Sequence, residues 1–270
     1  MTTTELLLDA PDPHRPDNSR YRVTLAVGQA DVQAAERLRH QVFSIECGAI
    51  TPGPHGLDTD GFDDVCDHLI VWHVPGGVAT TTSSAQTAVA TYRLLPAHAN
   101  DHSPLAAGLY SAGAFDLSPL EGLLGLTVEA GRSCVHADHR SGAAISMLWG
   151  GIARYMHLSG YRYLVGSASV PLNDGGANAA GFADLATARH AAPERLRCRP
   201  YRPFDPDGIA RSARVTIPPL LRGYLRLGAV VCGQAALDAD FGTADFLVLL
   251  DLESADQRYL RFFLGADAAR

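Results

Sequence analysis

The sequence contains no lysine, and all 22 of its basic residues are arginine. This excludes reactions in which a lysine amine forms a Schiff base with a carbonyl substrate. No apolar run reaches the roughly 18 residues that a membrane-spanning helix requires. The N-terminal stretch MTTTELLLDAPDPHRPDNSR also lacks the basic start and the long apolar core of a secretory signal. We therefore expect a cytoplasmic protein.

Cysteine and positive charge are also sparse. The five cysteines are odd in number, widely separated, and without CxxC or zinc-ligand spacing, which predicts reduced structural thiols. The net charge is −7 with scattered signs, whereas nucleic-acid-binding proteins usually carry a clustered basic face, so we expect no nucleic-acid partner. An acidic loop lacks the ligand spacing and closing glutamate of an EF-hand, so no metal is expected there. It contains Asp58, Asp60, Asp63, Asp64 and Asp67.

What is present is a chain of 270 residues with 47% apolar content, enough for one large core or two small ones. The Pro-, Asp- and Thr-rich residues 1–19 predict a flexible tail, and 20–270 a single domain. Hydrophobic periodicity predicts strands over 21–27, 68–74, 87–95, 126–135, 162–168 and 247–252. It predicts helices over 30–46, 143–158, 177–190 and 259–264, and one more from the Pro-Pro pair at 218–219 to Gly228. The strand–helix–strand unit over 126–168 predicts two parallel strands, and the whole order predicts an α/β fold with a mixed sheet.

The segment 125–149, GLTVEAGRSCVHADHRSGAAISMLW, carries the chemistry. Buried strands seldom carry charge that is neither paired nor used, and this one has Glu129 and Arg132. A carboxylate within reach of an amine can take its proton, so Glu129 is our candidate general base, the alternative being a structural pair with Arg132. Arg132 suits the carboxylate of an acceptor or the phosphate of a donor, the alternatives being a salt bridge to Glu129 or to the acidic loop.

The turn after this strand is typical of an anion site. Arg140, Ser141, Gly142, Ala143 and Ala144 lead into a helix, and small residues let backbone N–H groups approach an anion at the helix N-terminus. We expect this turn to hold the phosphate of an acyl donor.

Just before that turn, the backbone N–H groups of Ser133, Cys134 and Val135 would stabilise an oxyanion if a bulge exposes them. Together with the anion turn and Glu129, they indicate an acyl-transfer site.

Seven motifs occur in the order of a known family. They are RLRHQVF (37–43), DTDGFDDVCDHLIV (58–71), ATYRLL (90–95), YSAGAFDLSPL (110–120), VEAGRSCVHADHRSGAAISMLWGGIARYM (128–156), LLRGYLRLGA (220–229) and DADFGTADFLVLLDL (238–252). On these motifs the sequence resembles the GNAT-superfamily acyltransferases. Within them it is similar to the ornithine–acyl-carrier-protein N-acyltransferases, often labelled hemolysin-like, with acyl-homoserine-lactone synthases as more distant relatives.

This resemblance implies a GNAT-like single domain with a central twisted mixed sheet flanked by helices. It implies transfer of a 3-hydroxyacyl chain from an acyl carrier protein thioester to the amine of ornithine, which gives a lyso-ornithine lipid. Acyl carrier protein and ornithine are then the expected partners. Acyl-ACP or acyl-CoA would be a substrate rather than a tightly bound cofactor. The acylated product would provide peripheral contact with a membrane.

The resemblance also implies roles for individual residues. Arg39, Asp60 and Asp63 match a charged network over the amino-substrate pocket of the homoserine-lactone synthases, and Tyr224 would protonate the leaving thiolate. Apart from the resemblance, Arg93 on the preceding strand suits the same two ligands as Arg132, an acceptor carboxylate or a pantetheine phosphate, with a surface arginine as its alternative. For Tyr224 the alternative is a packed core side chain. Phe43 and Phe115 line the acyl or pantetheine groove or belong to the core.

One departure bears on the donor. The turn from Arg140 to Ala144 is one residue shorter than the Q/R-x-x-G-x-G/A loop of most GNAT acetyltransferases, which favours a carrier protein over coenzyme A. Two other functions stay open: an acetyl-CoA-dependent N-acetyltransferase of small amines, and a non-catalytic, hemolysin-like binding or membrane-active protein. For the lytic version the sequence has no long apolar or cationic amphipathic segment.

Overall fold

The computed structural model describes residues 6–15, 17–51, 53–54, 56–76, 86–97, 108–140 and 142–255. Their contacts form two compact units. Unit 1 contains the described residues of 1–95 and 131–160, and unit 2 those of 96–130 and 161–259. The predicted α/β class, with a mixed sheet and flanking helices, is confirmed.

Unit 1 is built on antiparallel strands. They are β1 (Leu6–Pro11), β2 (Arg20–Leu25), β3 (Asp67–Val74) and β4 (Thr87–Pro96), followed in the sheet by β6 (Thr127–Val135). Its helices are α1 (Gln29–Arg39), which continues as a π-helix (His40–Glu46), and α2 (Ala143–Ser159). Apolar side chains of α1, such as Ala35, pack on the β3 side chains Ile70 and Trp72. Helix α2 contacts β1, β2 and β3.

Strand β1 corrects a prediction. Residues 1–19 were expected to form a flexible tail, but Leu6–Pro11 pair antiparallel with β2. Leu7 is buried, and the strand's backbone groups find partners in β2, so burial and hydrogen bonding offset the entropy of ordering this segment.

A second difference lies in the first helix. The apolar spacing predicts one helix over 30–46, whereas α1 ends at Arg39 and a π-helix follows. A π-helix is wider than an α-helix and often marks a functional site, and the position of apolar residues does not reveal the change.

Unit 2 is built on β6, β7 (Tyr163–Pro171), β11 (Thr243–Asp251) and β10 (Ala236–Asp238), in that order. Short strand β9 (Val230–Val231) also pairs with β11, and β5 (Phe115–Asp116) pairs with β8 (Arg199–Pro200). The helices are α3 (Ala177–Arg189) and α4 (Pro219–Leu227), and 3-10 helices span Tyr110–Gly113 and Ser118–Leu126.

The parallel pairing of β6 with β7 confirms the predicted strand–helix–strand unit. Strand β11 begins at Thr243, four residues before the predicted start at Leu247. The helix predicted over 259–264 lies outside the described residues. None of the helices in the described ranges has the length and apolar character that spanning a bilayer would require.

Strand β6 supplies residues to both units. Thr127, Val128 and Glu129 pair with β7 in unit 2, whereas 131–135 belong to unit 1. Gly166 on β7 lies so close to β6 that an added Cβ would meet the carbonyl oxygen of Ala130 at 2.4 Å, so only glycine fits there without a backbone shift.

Candidate active site

Unit 1 contains a buried network of arginines and aspartates. Arg39 stands at the end of α1, Arg93 on β4 and Arg132 on β6, and the loop before β3 supplies three carboxylates. These are Asp58, Asp60 and Asp63. Buried charges of this kind are tolerated only when paired and hydrogen-bonded, so the network fixes the loop relative to the helix and the strands.

Arg39 is the most deeply buried cation of the network, with its side chain 1% exposed. Its Nε donates to Asp58 Oδ2 at 3.0 Å, and its Nη2 donates to Asp63 Oδ1 at 2.9 Å and to the carbonyl oxygen of Asp58 at 2.5 Å. The structure thus brings together Arg39 and Asp63, as the sequence predicted. It adds Asp58, which the sequence marked only as part of an acidic loop.

Arg93 and Arg132 converge on Asp60. Arg93 Nη1 lies 2.6 Å from Asp60 Oδ1, and Arg132 Nη2 lies 3.2 Å from Asp60 Oδ2. Burial by itself would raise the pKa of Asp60, but Arg93, the backbone N–H of Phe62 and Arg132 outweigh it, so the pKa lies below the ordinary value and the group is ionised. Asp60 is also the most accessible of the three carboxylates, at 18% against 1% for Asp58 and 6% for Asp63.

Arg132 reaches this network from an unusual backbone. Its φ is +50°, in the left-handed region that costs a non-glycine residue about 1–2 kcal/mol. Such strain persists where surrounding contacts hold it, and it is common at functional sites. The sequence left open a salt bridge from Arg132 to Glu129 or to the acidic loop. The salt bridge to the loop is present, because the Arg132 guanidinium contacts Asp60 at 3.2 Å and Asp58 at 3.9 Å.

Unit 2 holds Glu129, which is 3% exposed. Its Oε1 accepts hydrogen bonds from the backbone N–H of Ser111 at 2.9 Å and from the Ser111 hydroxyl at 2.5 Å, and its Oε2 accepts from the backbone N–H of Tyr110. The Ser111 hydroxyl also lies 3.2 Å from that of Ser167 on β7. Glu129 therefore anchors the 3-10 helix Tyr110–Gly113, and a chain of two hydroxyls leads to its carboxylate.

Comparisons with known proteins identify the family of this chain. Residues 38–150, which include Arg39, Asp60, Arg93, Glu129 and Arg132, match a family model described as an acetyltransferase (GNAT) domain. An L-ornithine N(alpha)-acyltransferase of Brucella abortus (strain 2308) is 34% identical over 261 residues, covering 92% of this chain and 90% of that protein. The chain belongs to the L-ornithine N(alpha)-acyltransferase family.

A second family member, from Rhodobacter capsulatus, is 33% identical, with 90% of this chain and 94% of that protein covered. Among solved structures, the AHL synthase LasI aligns with a TM-score of 0.51 over 90% of this chain and 95% of that one, at 11% identity. That likeness shows the GNAT-like fold. As a member of this family, the protein is an acyltransferase.

The predicted donor turn of this acyltransferase lies at the start of α2. Gly142 is the N-cap residue with φ +91°, a conformation that favours glycine, and Ala143 and Ala144 form the first turn. The Arg140 side chain is held by Glu46 at 2.6 Å and by the carbonyl oxygen of Val135 at 3.0 Å. An anion at this turn would therefore meet mainly the backbone N–H groups and the helix dipole. Ser141 lies outside the described residues.

The end of β6 decides the role of its cysteine. Cys134 is buried between Ser133 and Val135, which are half-buried, and burial raises the pKa of its thiol well above the ordinary value. Because the thiolate is the nucleophile, a buried thiol with a raised pKa is poorly suited to carry an acyl group. Phe43 packs against the cluster of Leu38, Val42 and Cys134, so its side chain contributes to the core.

The remaining predicted residues lie inside unit 2. Tyr224 is 1% exposed on the same face of α4 as the buried Leu221 and Leu227, and Phe115 on β5 is fully buried. Both positions agree with the alternative that these two side chains belong to the hydrophobic core.

Sequence reasoning missed Ser111 and Tyr110, although they begin the YSAGAFDLSPL motif. Their link to Glu129 spans 18 and 19 residues of chain and has no periodic signal.

Proposed function

We propose that this protein transfers an acyl chain from a carrier-bound thioester to the α-amine of ornithine. The observation that carries the proposal is the Asp60 carboxylate, the most exposed of the three, between the guanidinium groups of Arg93 and Arg132, in a chain whose relatives are named for ornithine acylation. An amino acid presents one carboxylate and at least one ammonium group. The network offers both complements, because arginine pairs bidentately with carboxylates and Asp60 attracts a cation.

The reaction is a direct transfer within a complex of both substrates. The neutral amine nitrogen attacks the thioester carbon, the tetrahedral oxyanion collapses, and the thiolate leaves, while the amine loses one proton and the thiolate gains one. A covalent route through Cys134 is disfavoured because its thiol is buried and un-ionised. We assign oxyanion stabilisation to the backbone of Ser133, Cys134 and Val135, next to the left-handed Arg132.

Glu129 serves the reaction in one of two ways that the contacts suggest. Its oxygens accept several hydrogen bonds from Tyr110 and Ser111, which supports a holding role. The linked hydroxyls of Ser167 and Ser111 offer a proton path to the Glu129 carboxylate, which supports base catalysis without direct contact. The burial of Tyr224 weighs against its predicted role as the acid.

The proposed donor is acyl carrier protein. Its pantetheine carries one phosphate, which suits a short turn where Arg140 is already neutralised by Glu46 and the N-terminus of α2 supplies the attraction. Coenzyme A carries additional phosphates and would benefit from a longer loop.

The test is an acyl-transfer assay with purified protein, either ornithine or another small amine as acceptor, and one of three donors: 3-hydroxyacyl carrier protein, the matching acyl-CoA, or acetyl-CoA. We expect free thiol and N(alpha)-acylornithine, identified by mass spectrometry, with the carrier-protein donor preferred. Asp60→Asn is expected to raise the KM for ornithine. Turnover with acetyl-CoA and small amines alone would support the acetyltransferase alternative, and thiol release with none of the donors would overturn the proposal.

A further inference from the structure

His68 is a buried histidine inside the charged network, with no role in the proposed chemistry so far. It is the second residue of β3, is 2% exposed, and stands opposite Arg93 in the pairing of β3 with β4. Its two ring nitrogens face two different members of the network. Its Nε2 lies 3.1 Å from the carbonyl oxygen of Asp63, and its Nδ1 lies 3.5 Å from Arg39 Nη1.

These neighbours fix the tautomer of His68. A backbone carbonyl oxygen only accepts hydrogen bonds, so Nε2 must carry the hydrogen. The guanidinium of Arg39 only donates, so Nδ1 must present its lone pair. Only the neutral ring with its proton on Nε2 satisfies both contacts, because a charged ring would set an N–H group of Nδ1 against an N–H group of Arg39.

The electrostatics of the network favour the same state. Burial lowers the pKa of His68, and the charges of Arg39 and Arg93 lower it further, against the opposing effect of Asp63. The neutral ring therefore accepts from Arg39 without adding a charge. A carboxylate at this place would add a fourth anion to three aspartates, and an apolar side chain would leave Nη1 of Arg39 without this acceptor.

His68 connects the Arg39 guanidinium with the main chain of the loop that carries Asp60 and Asp63. Arg39 Nε and Nη2 are held by Asp58 and Asp63, while Nη1 faces His68. The Nε2–H of His68 meanwhile holds the main chain at Asp63, three residues after Asp60. The ring thus sets both the guanidinium plane of Arg39 and the path of the loop that carries Asp60.

We propose that His68 is a positioning residue that orients Arg39 and the Asp60–Asp63 loop for the amino-acid acceptor. This inference rests on the proposed function, in which Asp60 and its arginines bind that acceptor. Because His68 is 2% exposed and its ring faces Arg39 and Asp63, we expect its effect on acceptor binding rather than on donor binding.

The test compares three variants of His68 that keep different halves of its contacts. In His68→Asn the amide oxygen takes the place of Nδ1 and still accepts from Arg39, in His68→Gln the amide replaces Nε2 and still donates to Asp63, and His68→Phe loses both. We expect His68→Phe to raise the KM for ornithine by about 10-fold or more, the scale of a lost hydrogen bond to a charged group. The donor KM is expected to change little, and both amide variants to recover part of the loss.

The matched control is His73→Phe, which replaces another buried histidine of β3 that packs against Tyr21 and His139 instead of the network. Its ornithine KM is expected to match that of the unaltered protein. If His68→Phe and His73→Phe lower thermal stability equally and leave every KM unchanged, the positioning role is wrong while the acyltransferase proposal stands. If the unaltered protein releases no thiol with any donor, the proposed function fails first.

A measurement without turnover covers the case in which His68→Phe does not fold. Long-range ¹H–¹⁵N spectra of the unaltered protein at pH 7 report which ring nitrogen of each histidine carries hydrogen. We expect His68, assigned through its Asn variant, to be the neutral Nε2–H form. A doubly protonated ring, or hydrogen on Nδ1, would overturn the proposal.

Discussion

The replacement Glu129→Gln separates a holding role from base catalysis at the residue that the sequence marked first. One oxygen of Glu129 accepts from Ser111 and the other from the backbone N–H of Tyr110. Glutamine keeps one acceptor and places an NH₂ group against the donors on the other side. At least one buried donor is then left unpaired, and the charge of the carboxylate is lost.

The size of the effect follows from these contacts. Losing a hydrogen bond to a charged group and leaving its buried donor unsatisfied costs about 3 kcal/mol. For a protein of this size, 1 kcal/mol lowers the melting temperature by about 2–4 °C, so we expect Glu129→Gln to melt about 6–12 °C lower. Glu121→Gln, at an exposed glutamate in the same unit, is the control and is expected to change stability by no more than about 0.5 kcal/mol.

Thermal unfolding followed by circular dichroism, together with turnover measured well below the melting transition, distinguishes the roles. A purely catalytic Glu129 would leave the melting temperature unchanged and reduce turnover by about 10²–10⁴-fold. A melting temperature within about 2 °C of the unaltered protein would therefore refute the holding role derived from the contacts. Ser111→Ala, which removes one of the donors, is expected to give a smaller shift in the same direction.

Three more predictions concern β6, β7 and the network. Arg132→Gly and Arg132→Ala both remove the guanidinium bonded to Asp60, so both should raise the KM for ornithine. Glycine adopts the left-handed φ of +50° without strain, so in a denaturant titration Arg132→Gly should be about 1 kcal/mol more stable than Arg132→Ala. Equal stabilities would contradict strain at this residue. Gly166→Ala places a Cβ 2.4 Å from the carbonyl oxygen of Ala130 and should destabilise the protein by about 1–3 kcal/mol in the same titration, whereas an unchanged midpoint would show that β6 and β7 yield there. The pKa of His68 is lowered in the folded protein, so below about pH 6.5 the unfolded chain binds more protons at this residue. The free energy of unfolding should therefore fall as the pH drops below about 6.5, and less steeply in His68→Phe. An identical slope in the two proteins would contradict a neutral buried ring.

The sequence by itself determined the local elements and the candidate chemistry. The alternation of apolar residues located the principal strands within a few residues, because side-chain burial in a sheet has a period of two. Glu129 and Arg132 were identifiable because charges inside an apolar strand are costly without partners. The small residues after Arg140 marked the start of α2 because they suit an N-cap and its exposed N–H groups.

Local patterns failed where partners are distant or backbone geometry changes without a change in composition. The pairing of β1 with β2 depends on a neighbouring strand rather than on the Pro- and Asp-rich residues around β1. The change from α1 to a π-helix leaves the apolar spacing intact.

Only the tertiary structure decided which charges meet. Arg132 lies 72 residues from Asp60, and Arg39 lies 29 from His68, and nothing local to either residue specifies such a partner. The tautomer of His68 and the accessibility of Asp60 among three aspartates depend on which donors and acceptors surround each group after folding. The sequence determines which residue types are available to bind an amino acid and to transfer an acyl group. The fold determines which of these residues pair, because an unpaired charge is costly when it is buried and few arrangements pair every buried charge.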